Sequence, residues 1–221
     1  RRPMNSRKIQ DGVTGRIEVI TGGMFSGKSE ELVRRLRRAL IARQRVKVFN
    51  SAVDSRHPPQ KLVSRDNREL AAQSVVHSAA LEAALEPGVE VVGIDEAQFF
   101  DAGLSEVAGR MADRGVRVIV AGLDQDYLRR AFGPMPELLA LAEHVDKMHA
   151  ICVRCGATAH YSQRISGGAA QVEVGDDDVY EARCRACYVP YEPALASRPA
   201  KSQPGGVLGT HHPPAVSGAL D

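Results

Sequence analysis

Short apolar runs alternate with longer amphipathic segments along this chain. The apolar runs predict buried strands at residues 16–21, 46–50, 89–95 and 116–123. Apolar residues at steps of three and four predict helices over residues 28–43, 78–85, 103–115 and 135–143. Strands that alternate with helices in this way indicate an α/β fold, with a parallel sheet covered by helices on both faces.

The first predicted helix has an apolar face and a basic face. Its apolar face is expected to consist of Leu32, Val33, Leu36, Leu40 and Ile41. The opposite face carries Arg34, Arg35, Arg37 and Arg38. We interpret this basic face as solvated, with a protein interface as the alternative.

Changes in residue composition along the sequence predict four segments. Residues 1–14 form a flexible N-terminus, which is basic but has no apolar run after it and is therefore no secretory signal. Residues 15–150 form the α/β domain, and residues 151–190 form a small domain with two cysteine pairs. Residues 191–221 are rich in Pro, Gly and Ser and are predicted to be a disordered tail.

Composition narrows the choice of function. Apolar residues make up 43% of the 221 residues, which is enough for a substantial core. The formal net charge of +2 gives no case for binding nucleic acid or an anionic membrane. No apolar run approaches the length of a membrane span, so a cytoplasmic protein is the default expectation.

A glycine-rich loop follows the first predicted strand. The stretch "GGMFSGKS" fits the phosphate-loop pattern G-x-x-x-x-G-K-[ST] and precedes the first predicted helix. Glycines let backbone N–H groups curl around a polyphosphate, the lysine reaches its phosphates, and the hydroxyl binds Mg²⁺. The alternative is a glycine-rich turn with an accidental lysine. The residues expected to bind nucleotide are Gly22, Gly23, Met24, Phe25, Ser26, Gly27, Lys28 and Ser29.

Two carboxylates end the third predicted strand. Asp95 would lie at the carboxyl edge of the sheet, where it can hold Mg²⁺. Glu96 would polarise water in a hydrolase, or accept the proton of an acceptor hydroxyl in a kinase. The alternative is a solvated acidic pair. In the loop after the second strand, Asp54 and Arg56 are either a surface ion pair or a site where Arg56 contacts the transferred phosphoryl group.

All four cysteines occur as two C-x-x-C pairs, Cys152 with Cys155 and Cys184 with Cys187. Four thiolates in two such pairs predict a structural Zn²⁺ with no open ligand position. The alternatives are two independent thiol pairs or a redox C-x-x-C. The intervening loop contains "GDDD", which would repel a phosphate backbone, so we interpret this loop as a lid over a small ligand.

Together these motifs resemble the thymidine kinases that combine a phosphate-loop fold with a zinc-bound lasso. The matching pieces run in order as "GGMFSGKSEEL", "DSR", "GIDEAQFF", "VIVAGLD", "FGPMPELL", "ICVRCGA" and "YEARCRACY". The resemblance implies ATP-dependent phosphorylation of the 5′-hydroxyl of thymidine, and of deoxyuridine. It implies that Glu96 is the general base and that Arg56 touches the phosphoryl group. Asp95 would hold Mg²⁺, with Asp54 near the metal.

The resemblance also implies a nucleoside pocket closed by the lasso. Its walls would be Met24, Phe99, Leu123, Tyr127, Phe132 and Tyr180, with Ser162 near the base and the backbone of Val172 and Val174 hydrogen-bonded to it. The zinc would anchor the lasso. Such enzymes are cytoplasmic homotetramers that are inhibited by dTTP.

Four positions depart from the family pattern. Tyr127 replaces the usual Phe, Ala131 replaces Pro, Ser162 replaces Thr, and Arg65 replaces His. Losing the Thr methyl group would cost about 1 kcal/mol, which shifts base preference without changing the substrate class. Two other functions stay open at this stage: a phosphate-loop ATPase stimulated by nucleic acid, and a non-enzymatic zinc adaptor.

Overall fold

The computed structural model describes residues 15–52, 61–63, 69–167, 170 and 178–190. The helices in this part of the chain are α1 (Lys28–Ile41), α2 (Ser78–Ala83), α3 (Leu104–Asp113) and α4 (Met135–Leu141). The strands there are β1 (Arg16–Gly22), β2 (Val46–Ser51), β3 (Lys61–Val63), β4 (Glu69–Ala71), β5 (Gln73–Val75), β6 (Val91–Asp95), β7 (Arg117–Gly122), β8 (His144–Met148), β9 (Ala150–Ile151), β10 (Thr158–Ala159), β11 (Tyr161–Arg164) and β12 (Tyr180–Arg183).

Six strands form the central sheet, in the spatial order β5-β2-β6-β7-β1-β8. Every neighbouring pair in this sheet is parallel. The remaining strands form three antiparallel pairs, β3 with β4, β9 with β10, and β11 with β12. The predicted α/β class with a parallel sheet is therefore confirmed.

Helices cover both faces of the sheet, as predicted. On one face α1 buries its apolar stripe against the alternate strand residues Ile20 and Ile119. On the other face α2, α3 and α4 share a second apolar cluster with Val19 and Val118, the residues next to Ile20 and Ile119 in β1 and β7. Parallel strands buried on both faces contain few polar positions, which is why the sequence shows them as continuous apolar runs.

The apolar face of α1 is narrower than predicted. The buried residues are Leu32, Val33, Leu36 and Ala39, whereas Leu40 and Ile41 are 46% and 82% exposed. Each helical residue turns the chain by about 100°, so Ile41 lies about 140° around the helix from Leu36, off the buried stripe, whereas Leu40 lies on the side of the stripe but in the last turn of the helix. The prediction for Leu40 and Ile41 was therefore wrong, and the helix ends two residues earlier than expected.

The basic face of α1 is only partly solvated. Arg34 is exposed, but the side chain of Arg35 is 13% exposed and bonds to Glu18 of β1 at 2.9 Å. Arg35 also pairs with Asp146 of β8 at 2.6 Å. The interpretation of a solvated face is therefore wrong for Arg35, which ties α1 to two strands.

Strand β8 was not predicted. Its five residues include only two apolar ones, and its first four side chains are exposed because β8 is an edge strand. Such a strand lacks the apolar run that marks a buried one.

No helix in the described part of the chain is long and apolar enough to cross a bilayer. The predicted boundary at residue 150 stays a prediction. The predicted N-terminal segment and tail lie outside the described residues.

Candidate active site

The phosphate-loop motif forms a tight turn between β1 and α1. Gly22 has a φ of 139°, and a Cβ atom there would lie 2.2 Å from the carbonyl oxygen of Met148. Phe25 and Gly27 also have positive φ values, of 65° and 83°. Such values are uncommon for a side chain like that of Phe25 and cluster at functional sites.

Two side chains of the motif hydrogen-bond to the loop itself. The Ser26 hydroxyl donates to the Gly23 carbonyl at 2.8 Å, and the Lys28 ammonium donates to the same oxygen at 2.7 Å. Helix α1 begins at Lys28. The positive end of a helix, a lysine and a curled backbone therefore meet at one place, which is the chemistry that binds a polyphosphate.

Asp95 lies beside the phosphate loop although its strand is not adjacent to β1. Its carboxylate accepts a hydrogen bond from the Ser29 hydroxyl at 3.0 Å. Burial and the charge of Glu96 together raise the pKa of Asp95 to about 7, against the lowering effects of Ser29 and Lys28. A bound cation would favour the ionised carboxylate. Carboxylate and hydroxyl oxygens are ligands that Mg²⁺ accepts, so the residues fit this ion.

Glu96 is held by a neighbouring amide. It follows β6 directly and adopts a left-handed backbone conformation with φ 51° and ψ 42°. The Gln98 amide nitrogen donates to the Glu96 carboxylate at 2.5 Å, and the Gln98 amide oxygen accepts from the Leu123 N–H at 2.9 Å. Gln98 is 2% exposed. The Leu123 N–H needs an acceptor, so the oxygen of the Gln98 side-chain amide faces Leu123. The NH₂ group of the same amide is therefore directed at Glu96.

Aromatic side chains predicted to wall a nucleoside pocket form two groups. Phe99 and Phe132 meet edge to face, with ring centroids 5.7 Å apart. Tyr127 and Tyr180 are both buried, and the guanidinium of Arg164 lies over both rings, 3.7 Å and 5.3 Å from their centroids.

Ser162 makes an unexpected contact. Its hydroxyl accepts a hydrogen bond from the backbone N–H of Met24 at 3.0 Å, across 138 residues of sequence. Both residues were predicted to contact the nucleoside. The hydroxyl joins strand β11 to the phosphate loop, so Ser162 affects the shape of that loop.

The four cysteines form one cluster. The sulfur atoms of Cys152, Cys155, Cys184 and Cys187 all lie within 4.8 Å of one another. None of them is in a disulfide. Ligands of tetrahedral Zn²⁺ lie about 3.8 Å apart, given Zn–S bonds of about 2.3 Å. The cluster therefore has the ligand type, number and spacing of a structural zinc site.

The electrostatics of the cluster also fit a cation. The nearby sulfurs of Cys155 and Cys184 raise the pKa of Cys187 to about 12. Burial works against ionisation of Cys152, but backbone hydrogen bonds lower its pKa to about 6. Four thiolates at this spacing repel one another, so a divalent metal ion is needed to hold them all ionised.

The predicted cysteine-containing domain, residues 151–190 and here called the cysteine unit, contacts the candidate pocket. Tyr188, the residue after Cys187, donates its hydroxyl proton to the carbonyl of Tyr127 at 2.7 Å. Gly23 of the phosphate loop lies so close to this unit that a Cβ atom would be 3.4 Å from the carbonyl oxygen of His160. A metal that fixes the cysteine unit would therefore also fix Tyr127.

Four predicted site residues, Asp54, Arg56, Val172 and Val174, lie outside the described residues. Conversely, Gln98, Arg164 and Tyr188 were not predicted. The signal for Gln98 was a polar residue inside the apolar stretch "AQFF". No local pattern marks Arg164 or Tyr188.

This fold and site define a class of α/β proteins that combine a glycine-rich loop of the phosphate-loop pattern with a four-cysteine cluster of zinc-site spacing. The family model described as thymidine kinase matches residues 15–188. A thymidine kinase of Porphyromonas gingivalis is 54% identical over 174 residues, covering 79% of this chain and 85% of the relative. A thymidine kinase of Rhodothermus sp. is 52% identical over 186 residues, covering 84% and 87%. The chain therefore belongs to the thymidine kinase family, and it is a kinase.

Proposed function

We propose that this protein transfers the γ-phosphoryl group of ATP to the 5′-hydroxyl of thymidine, and of deoxyuridine. The observation that carries the proposal is the juxtaposition of Ser29 and Asp95, 3.0 Å apart, with Glu96 as the next residue. A site for phosphate and metal thus lies beside a carboxylate that can act as a base. A kinase needs these two functions side by side.

Residues of the phosphate loop bind and orient ATP in this proposal. The backbone of residues 22–27 and the Lys28 ammonium hold the phosphates, and Ser29 and Asp95 hold Mg²⁺. When bound, Mg²⁺ neutralises charge on the β- and γ-phosphates. Asp54 is assigned to the surroundings of the metal. Arg56 is assigned to the transferred phosphoryl group, whose charge it stabilises.

Glu96 removes the proton from the acceptor. The 5′-oxygen forms a bond to the γ-phosphorus while the bond from that phosphorus to the β,γ-bridging oxygen breaks, leaving ADP. The hydroxyl proton moves to the Glu96 carboxylate. Gln98 supports this role because it holds the carboxylate in one orientation, at 2.5 Å.

The nucleoside lies among Met24, Phe99, Leu123, Tyr127, Phe132 and Tyr180 in this proposal, with the lasso backbone at Val172 and Val174 recognising the base. The buried tyrosines and the Phe99–Phe132 pair support an apolar site for a flat ring. Ser162 contributes less to the base than the resemblance implies, since its hydroxyl bonds to Met24. The zinc is structural and anchors the lasso.

We further propose a cytoplasmic homotetramer inhibited by dTTP, with no nucleic-acid or membrane partner. The exposed edge strand β8 offers a surface for another copy of the chain, with Val145 46% exposed. Inhibition by dTTP has a physical reason: its nucleoside fits the pocket while its phosphates reach the phosphate loop.

The test is ADP production from Mg-ATP with thymidine, deoxyuridine, deoxycytidine or single-stranded DNA as the addition. We expect turnover that depends on thymidine and deoxyuridine. Turnover that ignores nucleosides and rises with DNA would contradict the proposal. Glu96→Gln should lower kcat by about 10²–10⁴-fold with ATP and thymidine binding preserved. Glu86→Gln, at a carboxylate whose side chain is 72% exposed, is the control.

A further inference from the structure

Arg164 of β11 is a fully buried charge that the proposed mechanism does not use. It is 1% exposed and is the largest fully buried side chain among the residues that the structure describes. An arginine cannot lose its proton at any relevant pH, so its burial cannot be relieved by neutralisation. Such a charge is costly unless its surroundings hydrogen-bond to it and stabilise it.

Among the described residues, contacts of Arg164 reach three separate segments. Its guanidinium lies 3.7 Å from the ring centroid of Tyr127, in the loop after β7. It donates to the hydroxyl of Tyr180 in β12 at 2.6 Å. It also donates to the carbonyl of Ala170, between β11 and β12, at 2.6 Å. One side chain therefore joins the loop after β7, the strand β12 and the segment between β11 and β12.

Two of these partners are walls of the proposed nucleoside pocket. A guanidinium stacked at 3.7 Å fixes the plane of the Tyr127 ring, because tilting the ring would break the contact. The backbone of Tyr127 is held independently, since its carbonyl accepts from Tyr188 at 2.7 Å. With both held, a planar base meets a surface that is already arranged.

We infer that Arg164 is a positioning residue for nucleoside binding, which fixes the Tyr127 ring, Tyr180 and the Ala170 carbonyl in their binding arrangement. This inference rests on the proposed function. Arg164 contacts two residues assigned to the nucleoside, Tyr127 and Tyr180, whereas the site assigned to Mg-ATP is built around the Ser29–Asp95 hydrogen bond. Loss of Arg164 should therefore weaken nucleoside binding and leave the ATP site intact.

The test compares Arg164→Met and Arg164→Lys with the control Arg129→Met. Arg129 is also stacked on a tyrosine, 4.6 Å from the ring centroid of Tyr188, but it is exposed. Steady-state kinetics give KM for thymidine, KM for ATP and kcat, and calorimetry gives thymidine affinity without turnover. We expect the Arg164 variants to raise KM and Kd for thymidine at least tenfold, with kcat and KM for ATP within about threefold of wild type.

Lysine should not rescue the site, because an ammonium can neither stack flat on a ring nor donate in a fixed fork. Tyr180→Phe removes one acceptor of Arg164 and should raise KM for thymidine a few-fold. It also serves as the decisive variant if the Arg164 variants do not fold. Thymidine constants within twofold of the Arg129→Met control, or a parallel rise in KM for ATP, would overturn the inference. Wild-type protein that neither binds nor phosphorylates thymidine would instead refute the proposed function.

Discussion

Replacing Glu18 by Gln should destabilise the protein strongly at neutral pH and much less in acid. Glu18 lies on β1 and is 4% exposed. Its carboxylate accepts hydrogen bonds from Arg16 at 2.7 Å, Arg35 at 2.9 Å and Arg117 at 2.7 Å. Arg35 belongs to the helix that begins at the phosphate loop, so this cluster fixes that helix to the sheet.

The magnitude follows from the pKa of Glu18. Burial alone would raise this pKa, but hydrogen bonds and charge from Arg117 and Arg16 outweigh burial and lower it from 4.5 to about 2. A tenfold change in proton affinity is worth about 1.4 kcal/mol, so ionised Glu18 adds about 3 kcal/mol to the free energy of unfolding. The folded pKa is depressed, so this stability is present above pH 4.5 and is lost as the pH falls towards 2.

Urea unfolding of wild type and Glu18→Gln at pH 7 and pH 3 provides the assay, because guanidinium chloride would screen the ion pairs. Comparing the two proteins at the same pH cancels the effect of acid on the cysteine cluster. The free energy of unfolding of wild type should exceed that of Glu18→Gln by at least about 3 kcal/mol at pH 7. This excess should be about 2 kcal/mol smaller at pH 3. Glu106→Gln, at a side chain that is 77% exposed, should change little at either pH. A difference of equal size at both pH values would refute the reasoning.

Three further predictions concern the site. Asp95→Asn should raise the thermal midpoint of the ligand-free protein, because it removes a buried carboxylate whose pKa is raised to about 7, and should weaken Mg-ATP binding by calorimetry. A lower midpoint would argue that ionised Asp95 stabilises the fold. Ser162→Ala should raise KM for both ATP and thymidine by about five- to tenfold, since the Met24 N–H loses its acceptor, whereas Ser162→Thr should keep both near wild type. An unchanged KM for ATP would show that the phosphate loop does not need this bond. Removal of metal from the cysteine cluster by a chelator should weaken thymidine binding more than ATP binding, and equal losses would assign the metal to the whole fold.

Local patterns predicted the buried elements well and the exposed ones poorly. The strands that contain Val19, Val92 and Val118 were predicted because both of their faces are buried, which leaves a continuous apolar run. Strand β8 was missed because its exposed side chains carry no such run. At Leu40 and Ile41 the period of the helix was correct, but the length and width of the covered stripe depend on what packs against the helix.

The candidate site shows the same division. The phosphate loop and the cysteine pairs were recognisable because their chemistry depends on neighbours within a few residues. The roles of Gln98 and Arg164 were not, since each depends on a partner brought near by folding. Ser162 was expected beside a base, but its hydroxyl reaches the phosphate loop.

The amino-acid sequence by itself determined the α/β class, the glycine-rich loop and the two cysteine pairs, because glycine conformations, apolar periods and C-x-x-C spacing act over short stretches of chain. The tertiary structure alone decided which distant side chains meet. Glu18 with Arg117, 99 residues apart, and Met24 with Ser162, 138 residues apart, became neighbours through strand order and packing. Burial strengthens these contacts, because ion pairs and hydrogen bonds have larger interaction energies where water is excluded.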